Sequence, residues 1–318
     1  MSDAHGPAHT PVLLAEVIDG LALQADGIYM DCTLGRGGHT RALLRELGPR
    51  GRVVAMDRDR EAVEAGRVLS AGDARVSVIH ANFDSVGAVA AAHQLMGRVN
   101  GMLFDLGVSS PQLDDGSRGF SFQADGPLDM RMDRSVGASA AQWLAGASQE
   151  EIARVLRDYG EERHARRIAR AIIERRADAA IETTRRLADI VAGARPRTGA
   201  RRGGRGKHPA TRVFQAIRIH INSELQALDA ALEQAPDILA PSGRLAVISF
   251  HSLEDRRVKR FMRARSTGPT APRGMPVVPP GAPPVLRVVG RAVRASSDEV
   301  RANPRARSAV LRIAARRP

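Results

Sequence analysis

From residue 28 to residue 106 the chain repeats one rhythm: a short apolar run, a turn, then a segment whose apolar residues recur at helical spacing. The runs beginning at Ile28, Arg52, Val76 and Gly101 predict strands, ending near Asp31, Asp57, His80 and Leu106. Between them, Thr40 to Leu47, Glu61 to Leu69 and Val86 to Met96 predict helices, and residues 12 to 21 predict a short helix ahead of the first strand. Strands that alternate with helices of this length imply a parallel, doubly wound sheet whose ligands sit at the carboxyl ends of the strands.

The next apolar run suited to the sheet, Arg244 to Phe250, lies far beyond what one crossover needs, which is a dozen or so residues. Something is therefore inserted. Val213, Phe214, Ile217, Ile221, Leu225, Leu228 and Leu232 fall at helical spacing and predict one crossover helix over 211 to 234. That leaves an insert of residues 113 to 210, flanked by a discontinuous domain of residues 1 to 112 and 211 to 318. Inside the insert, Ser148 with Glu151 forms a capping signature for a helix closed by Gly160. An arginine-rich helix from Glu161 to Arg176 and another from Thr184 to Val191 follow. Beyond the fifth strand come a helix from Leu253 to Arg263, a proline-rich connection, and two closing strands at Leu286 to Val289 and Ala309 to Ile313. A reversed strand at that edge would separate a methyltransferase sheet from a dehydrogenase sheet.

Composition narrows the picture. With 318 residues, 43% of them apolar, the chain can bury a core. No stretch approaches the length of a membrane span and the N-terminus carries no signal-peptide pattern, so the expected compartment is the cytoplasm, away from membranes. The one cysteine, Cys32, excludes an intrachain disulfide and a cysteine-cluster metal site, and no metal is expected. A net charge of +13 favours a polyanionic partner. Only Lys207 and Lys259 are lysines, so local clustering carries more information than the total. Between Arg195 and Arg212 lie Arg197, Arg201, Arg202, Arg205 and Lys207 among glycines, with no acid. Such a run is either a solvated loop or a phosphate-binding one.

The candidate chemistry sits at the strand ends. Gly35, Gly37 and Gly38 follow the first strand and open a helix, an arrangement that lets backbone N–H groups approach a nucleotide cofactor. The same pattern serves a tight turn without a ligand, and the third glycine of a dinucleotide fingerprint is replaced by Thr40. Asp57 ends the second strand, where a carboxylate can accept from both ribose hydroxyls or simply shape a turn. Phe83 follows the third strand, placed against an adenine ring or in the core. Asp105 ends the fourth strand, facing cofactor and substrate or capping a turn.

Several blocks together closely resemble the bacterial small-subunit (16S) ribosomal RNA cytosine N4-methyltransferases. They are Asp31 to His39, Met56 to Asp59, Asp105 to Asp115, Gly119 to Phe122, Gly126 to Asp133, Tyr159 to Arg163, His208 to Arg212, Ile248 to Arg256 and Asn303 to Ser308. The resemblance implies an α/β fold: a Rossmann-like S-adenosylmethionine-dependent methyltransferase sheet with an inserted helical substrate-recognition domain. It implies methyl transfer from S-adenosyl-L-methionine to the N4 amine of a decoding-site cytidine. Carried over by motif, the cofactor residues are Gly37, Gly38, His39, Asp57, Phe83, Asp105 and Gln112. The implied partner is 16S rRNA within the small ribosomal subunit; a homodimer is left open.

Because the methyl sulfonium is already electrophilic, alignment is most of the catalysis. Asp105, Ser109, Ser110 or a backbone carbonyl could accept the hydrogens of the cytosine amine. Phe120, Phe122, Phe250 and His251 are candidates to sandwich the base. For RNA contact the expected residues are Arg201, Arg202, Arg205, Lys207 and Arg212. Two other classes fit parts of the sequence: a nicotinamide-dependent dehydrogenase fits the glycine loop, and a non-catalytic RNA-binding or ribosome-assembly protein fits the charge.

Overall fold

The computed structural model describes residues 11–194, 208–267 and 283–318. In chain order its elements begin α1 (Leu14–Leu21), β1 (Ile28–Asp31), α2 (Gly38–Glu46), β2 (Arg52–Asp57), α3 (Arg60–Gly72), β3 (Val76–His80), α4 (Val86–Ala92) and β4 (Val99–Asp105). Next come α5 (Ser110–Asp114), α6 (Ala140–Gly146), α7 (Gln149–Gly160), α8 (Ala165–Asp178), α9 (Thr184–Ala194) and α10 (Ala210–Ile221). The chain finishes with α11 (Glu224–Ile238), β5 (Leu239–Ser249), α12 (Ser252–Ser266), β6 (Leu286–Arg294), α13 (Ser297–Ala302) and β7 (Val310–Arg316).

The seven strands form one sheet in the order β3-β2-β1-β4-β5-β7-β6. Strands β1 to β5 pair in parallel, and β7 enters antiparallel between β5 and β6. The strands are apolar on both faces because both faces are covered. Met30, Met56, Phe104 and Val247 lie in one buried cluster, whereas Tyr29, Val53, Leu103 and Ile248 lie in another, as the two-residue side-chain period requires. Each fully buried apolar side chain contributes roughly 1.5–3 kcal/mol. From β1 the chain winds outward through β2 to β3, then returns to place β4 on the other side of β1. The order reverses there, and the crevice at the carboxyl ends of β1 and β4 is where such a sheet takes its ligand.

The chain divides into two compact units, residues 1–107 with 225–318 and residues 108–224. The second unit is wider at both ends than the expected insert of 113–210. Its core joins Phe120, Leu128, Met130, Ile152, Leu156, Ile168 and Leu187 to Val213, Phe214 and Ile217 of α10. The single crossover helix expected over 211 to 234 is in fact two helices. Asn222 breaks it: its buried amide donates to Met130 O at 2.7 Å and accepts from Met132 N at 2.8 Å, and Ser223 turns to φ 49°. Apolar periodicity runs through the break because each helix buries an apolar face, α10 in the core of the second unit and α11 in that of the first.

Ser148 does cap α7, accepting from Glu151 N at 3.1 Å. The left-handed residue that ends this helix, however, is Glu161 at φ 48°, not Gly160. Gly160 lies where α10 crosses, and a Cβ there would meet Arg212 O at 2.8 Å. Also in this unit, Trp143 and His220 pack with ring centroids 4.6 Å apart, and the Trp143 indole donates to Glu151 at 3.0 Å. No helix among the described residues is long and apolar enough to cross a membrane.

Candidate active site

Strand β1 ends on Asp31, which is 1% exposed despite its charge. Its carboxylate accepts from Thr40 Oγ1 at 2.6 Å and from Thr33 N at 3.2 Å, tying the strand end to the start of α2. Burial pushes its pKa up, against the pull of those hydrogen bonds. The loop between turns through Gly35 (φ 53°) and Gly37 (φ 72°), and Gly37 N donates to Leu34 O at 2.7 Å. A left-handed backbone is what demands glycine at 37: a Cβ there would find only ordinary contacts, the nearest Leu34 at 3.5 Å. Gly38 is glycine for another reason, since its Cβ would lie 2.4 Å from the Pro11 ring.

At the end of β2, both oxygens of Asp57 accept backbone N–H groups, from Gly35 at 2.8 Å and from Asp59 at 2.8 Å. The carboxylate thus fixes the glycine loop against the β2 turn. A carboxylate offers about four lone-pair sites, so this use leaves room for ribose hydroxyls. Burial raises the Asp57 pKa to about 6, its two backbone donors opposing.

Asp105 ends β4, beside β1. Its N–H donates to Thr33 Oγ1 at 2.7 Å, which points the strand end at the same loop. His39, 6% exposed on the first turn of α2, holds Nε2 3.2 Å from Val12 O. A carbonyl can only accept, so Nε2 carries a proton, while Nδ1 faces Asp105 Oδ2 at 3.7 Å. That separation is Coulombic and too long for a hydrogen bond. The other oxygen, Asp105 Oδ1, is buried with no hydrogen-bond partner. Burial raises Asp105 to about 6, with His39 lowering it and Asp31 and Glu254 adding to the rise.

Phe83 opens the turn after β3 and meets Phe104 edge-on, with centroids 5.9 Å apart. The crevice therefore collects a left-handed glycine turn, two carboxylates near pKa 6 and a half-buried aromatic ring. A reversed β7 distinguishes this sheet from the dehydrogenase order 3-2-1-4-5-6.

A family model described as the MraW methylase family matches residues 6–317. The chain belongs to that family. Its relatives include the ribosomal RNA small subunit methyltransferase H of Thioalkalivibrio sulfidiphilus, 55% identical over 318 residues, 99% of each chain. The protein of the same name from Shewanella denitrificans is 52% identical over 311 residues, 97% of each chain. As a member of the MraW methylase family the chain is an S-adenosylmethionine-dependent methyltransferase, and the strand ends offer that cofactor a carboxylate after β2, an aromatic ring after β3 and an orphaned acceptor at Asp105 after β4.

The structure brings Gly37, Gly38, His39, Asp57, Phe83 and Asp105 together in the first unit. It places Ser109 and Gln112 in the second, where Ser109 N donates to Gln112 Oε1 at 2.9 Å and closes a capping box at α5. Of the four aromatic candidates, Phe120 is buried in the core of the second unit, and Phe122 packs against His208 and Phe214 in that unit. Phe250 and His251 stand at the end of β5 in the first. There Glu254 Oε2 accepts from Phe250 N at 2.8 Å, and His251 Nε2 lies 3.2 Å from Glu254 Oε1. Arg212 sits on α10 and donates to Glu161 O at 3.1 Å. Arg201, Arg202, Arg205 and Lys207 fall outside the described residues. Sequence reasoning missed Asp31, Thr33 and Thr40 as the frame of the loop. Their one signal was a charged residue closing an otherwise apolar strand.

Proposed function

We propose that this protein transfers the methyl group of S-adenosylmethionine to the exocyclic N4 amine of a cytidine in small-subunit ribosomal RNA. The observation that carries the reading is agreement over essentially the whole chain, at 55% identity, with a small-subunit ribosomal RNA methyltransferase. Bound in the crevice, the cofactor supplies an electrophilic methyl carbon on sulfur. Asp57 binds the ribose while pinning Gly35, and the backbone at Gly37 and Gly38 lines the approach. The buried Asp105 Oδ1 accepts a hydrogen of the cytosine amine, which otherwise has its lone pair drawn into the ring. As the nitrogen–carbon bond forms and the carbon–sulfur pair returns to sulfur, the amine sheds a proton. A carboxylate of pKa about 6 can take that proton and release it to water. His39 keeps Asp105 more acidic than burial alone would.

The RNA is gripped by the basic run that includes Arg201, Arg202, Arg205 and Lys207. Changing the three arginines to Gln flattens the salt dependence of particle binding by up to about 3 log units per log unit of salt, with cofactor affinity unchanged. The function itself is tested by incubating small ribosomal subunits that lack the modification with the protein and cofactor, then mass-mapping the nucleotide. Methyl on a base other than cytosine, or on no RNA at all, refutes the assignment.

A further inference from the structure

Away from the crevice, at the far edge of the sheet, α12 and β6 enclose a groove of about 330 Å³. Its floor is apolar, with Met262, Val288 and Ile313, and its rim is basic, with Lys259, Arg263, Arg291 and Arg312. Val288 is 46% exposed, an unusual state for a strand valine. The groove exists because β6 leaves its partner. Pairing with β7 steps from Val289↔Ile313 to Val293↔Leu311, so four steps on β6 span two on β7. Gly290 turns to φ 65° within this bulge, and Arg291 next to it is exposed.

The rim cations are not in equivalent states. Arg312 is held by Asp255 through two hydrogen bonds of 2.7 and 3.1 Å. Lys259, Arg263 and Arg291 are exposed and make no ion pair among the described residues. Lys259 and Arg263 lie one helical turn apart on α12, so both project to the groove side. Two other cations on the same helix are neutralised locally, Arg257 by Asp229 at 3.1 Å and Arg265 by Glu233. Three like charges around an apolar floor make a local positive field that suits a polyanion. The segment that joins α12 to β6, residues 268 to 282, carries Arg273 and no acid, so it does not supply the missing charge.

We propose that this groove is a second RNA-docking surface. A phosphodiester segment lays its sugars on Val288 while its phosphates meet Lys259, Arg263 and Arg291. The inference rests on ribosomal RNA being the substrate. It extends that reading to a docking surface on the methyltransferase sheet itself, in addition to the insert.

The test compares the full-length protein with a Lys259→Gln/Arg263→Gln/Arg291→Gln variant. The control is Arg45→Gln/Arg52→Gln/Arg98→Gln, which removes the same charge from exposed positions outside the groove. Binding to deproteinised 16S rRNA is measured across a salt series, with methyl transfer to small subunits and cofactor calorimetry alongside. The groove variant should show a salt slope shallower by up to about 3, near 0.9 for each phosphate no longer neutralised. Its KM for the particle should rise, with kcat and cofactor affinity held. The control should keep the wild-type slope. Equal flattening in both variants, or parallel slopes for the groove variant and the wild type, overturns the docking surface. The slope comparison remains readable even if the wild-type protein methylates no cytidine, so failure of the functional assignment and failure of the groove are separate results.

Discussion

Removing the Asp57 carboxylate isolates a residue that shapes the glycine loop and that we propose binds the ribose. In Asp57→Ala, Gly35 N–H and Asp59 N–H lose acceptors at 2.8 Å each. Two hydrogen bonds to a charged group are together worth about 3–6 kcal/mol. Burial of the charge outweighs those bonds: the pKa rises from 3.8 to about 6 with both donors already counted, a balance of at most about 3 kcal/mol against the charged form at neutral pH. Partial exposure of the side chain makes that an upper figure. Loss of the two acceptors and relief of the buried charge act in opposite directions in Asp57→Ala, so the net change at pH 7 is small and the variant folds. The sign of the pH dependence is fixed. A carboxylate whose folded pKa is raised binds more protons folded than unfolded, so it favours the native state as pH falls through 6 and ceases to do so above it. Between pH 7 and pH 5 the wild type should gain about 1 kcal/mol over Asp57→Ala. Denaturant unfolding at the two pH values measures this, and a gap that does not change with pH refutes the buried-carboxylate assignment. Cofactor calorimetry at pH 7 should show a further loss of roughly 1.5–3 kcal/mol from the missing ribose bonds. Unchanged affinity eliminates Asp57 as the ribose ligand.

Gly37→Asn should keep most cofactor binding because Asn tolerates a left-handed backbone. Gly37→Val should lose it, since the strain of about 1–2 kcal/mol or more displaces the loop; equal affinities in calorimetry would show the loop to be a turn only. With saturating cofactor, kcat should fall on the acid side of pH about 6 as Asp105 protonates. In Asp105→Asn that limb should vanish and the residual rate be flat with pH; an unaltered profile removes Asp105 from the chemistry. Asn222→Ala leaves Met132 N–H buried without its acceptor at 2.8 Å and should destabilise the second unit by about 1–3 kcal/mol. Proteolysis and unfolding curves would expose the opposite result, an unchanged midpoint.

The alternation of strands and helices, the strand ends at Asp31, Asp57 and Asp105, and the motifs around them were legible in the sequence because each depends on local periodicity and on turn chemistry. The bounds of β2 and β3 agree with their expected spans. Three things were not local. The reversal of β7 is a choice of hydrogen-bonding partner across the sheet, and a strand's residue pattern is the same in either direction. The end of the second unit at 224 depends on Asn222 reaching back to Met130 and Met132, an interaction across about ninety residues that leaves the apolar spacing of α10 and α11 untouched. The distinct reasons for Gly37 and Gly38 are the third: one residue needs a left-handed backbone, and the other must admit Pro11, which only the folded chain brings within 2.4 Å of a would-be Cβ. What each segment prefers by itself follows from its residues alone; the tertiary structure decides which neighbours satisfy its remaining donors, acceptors and volume.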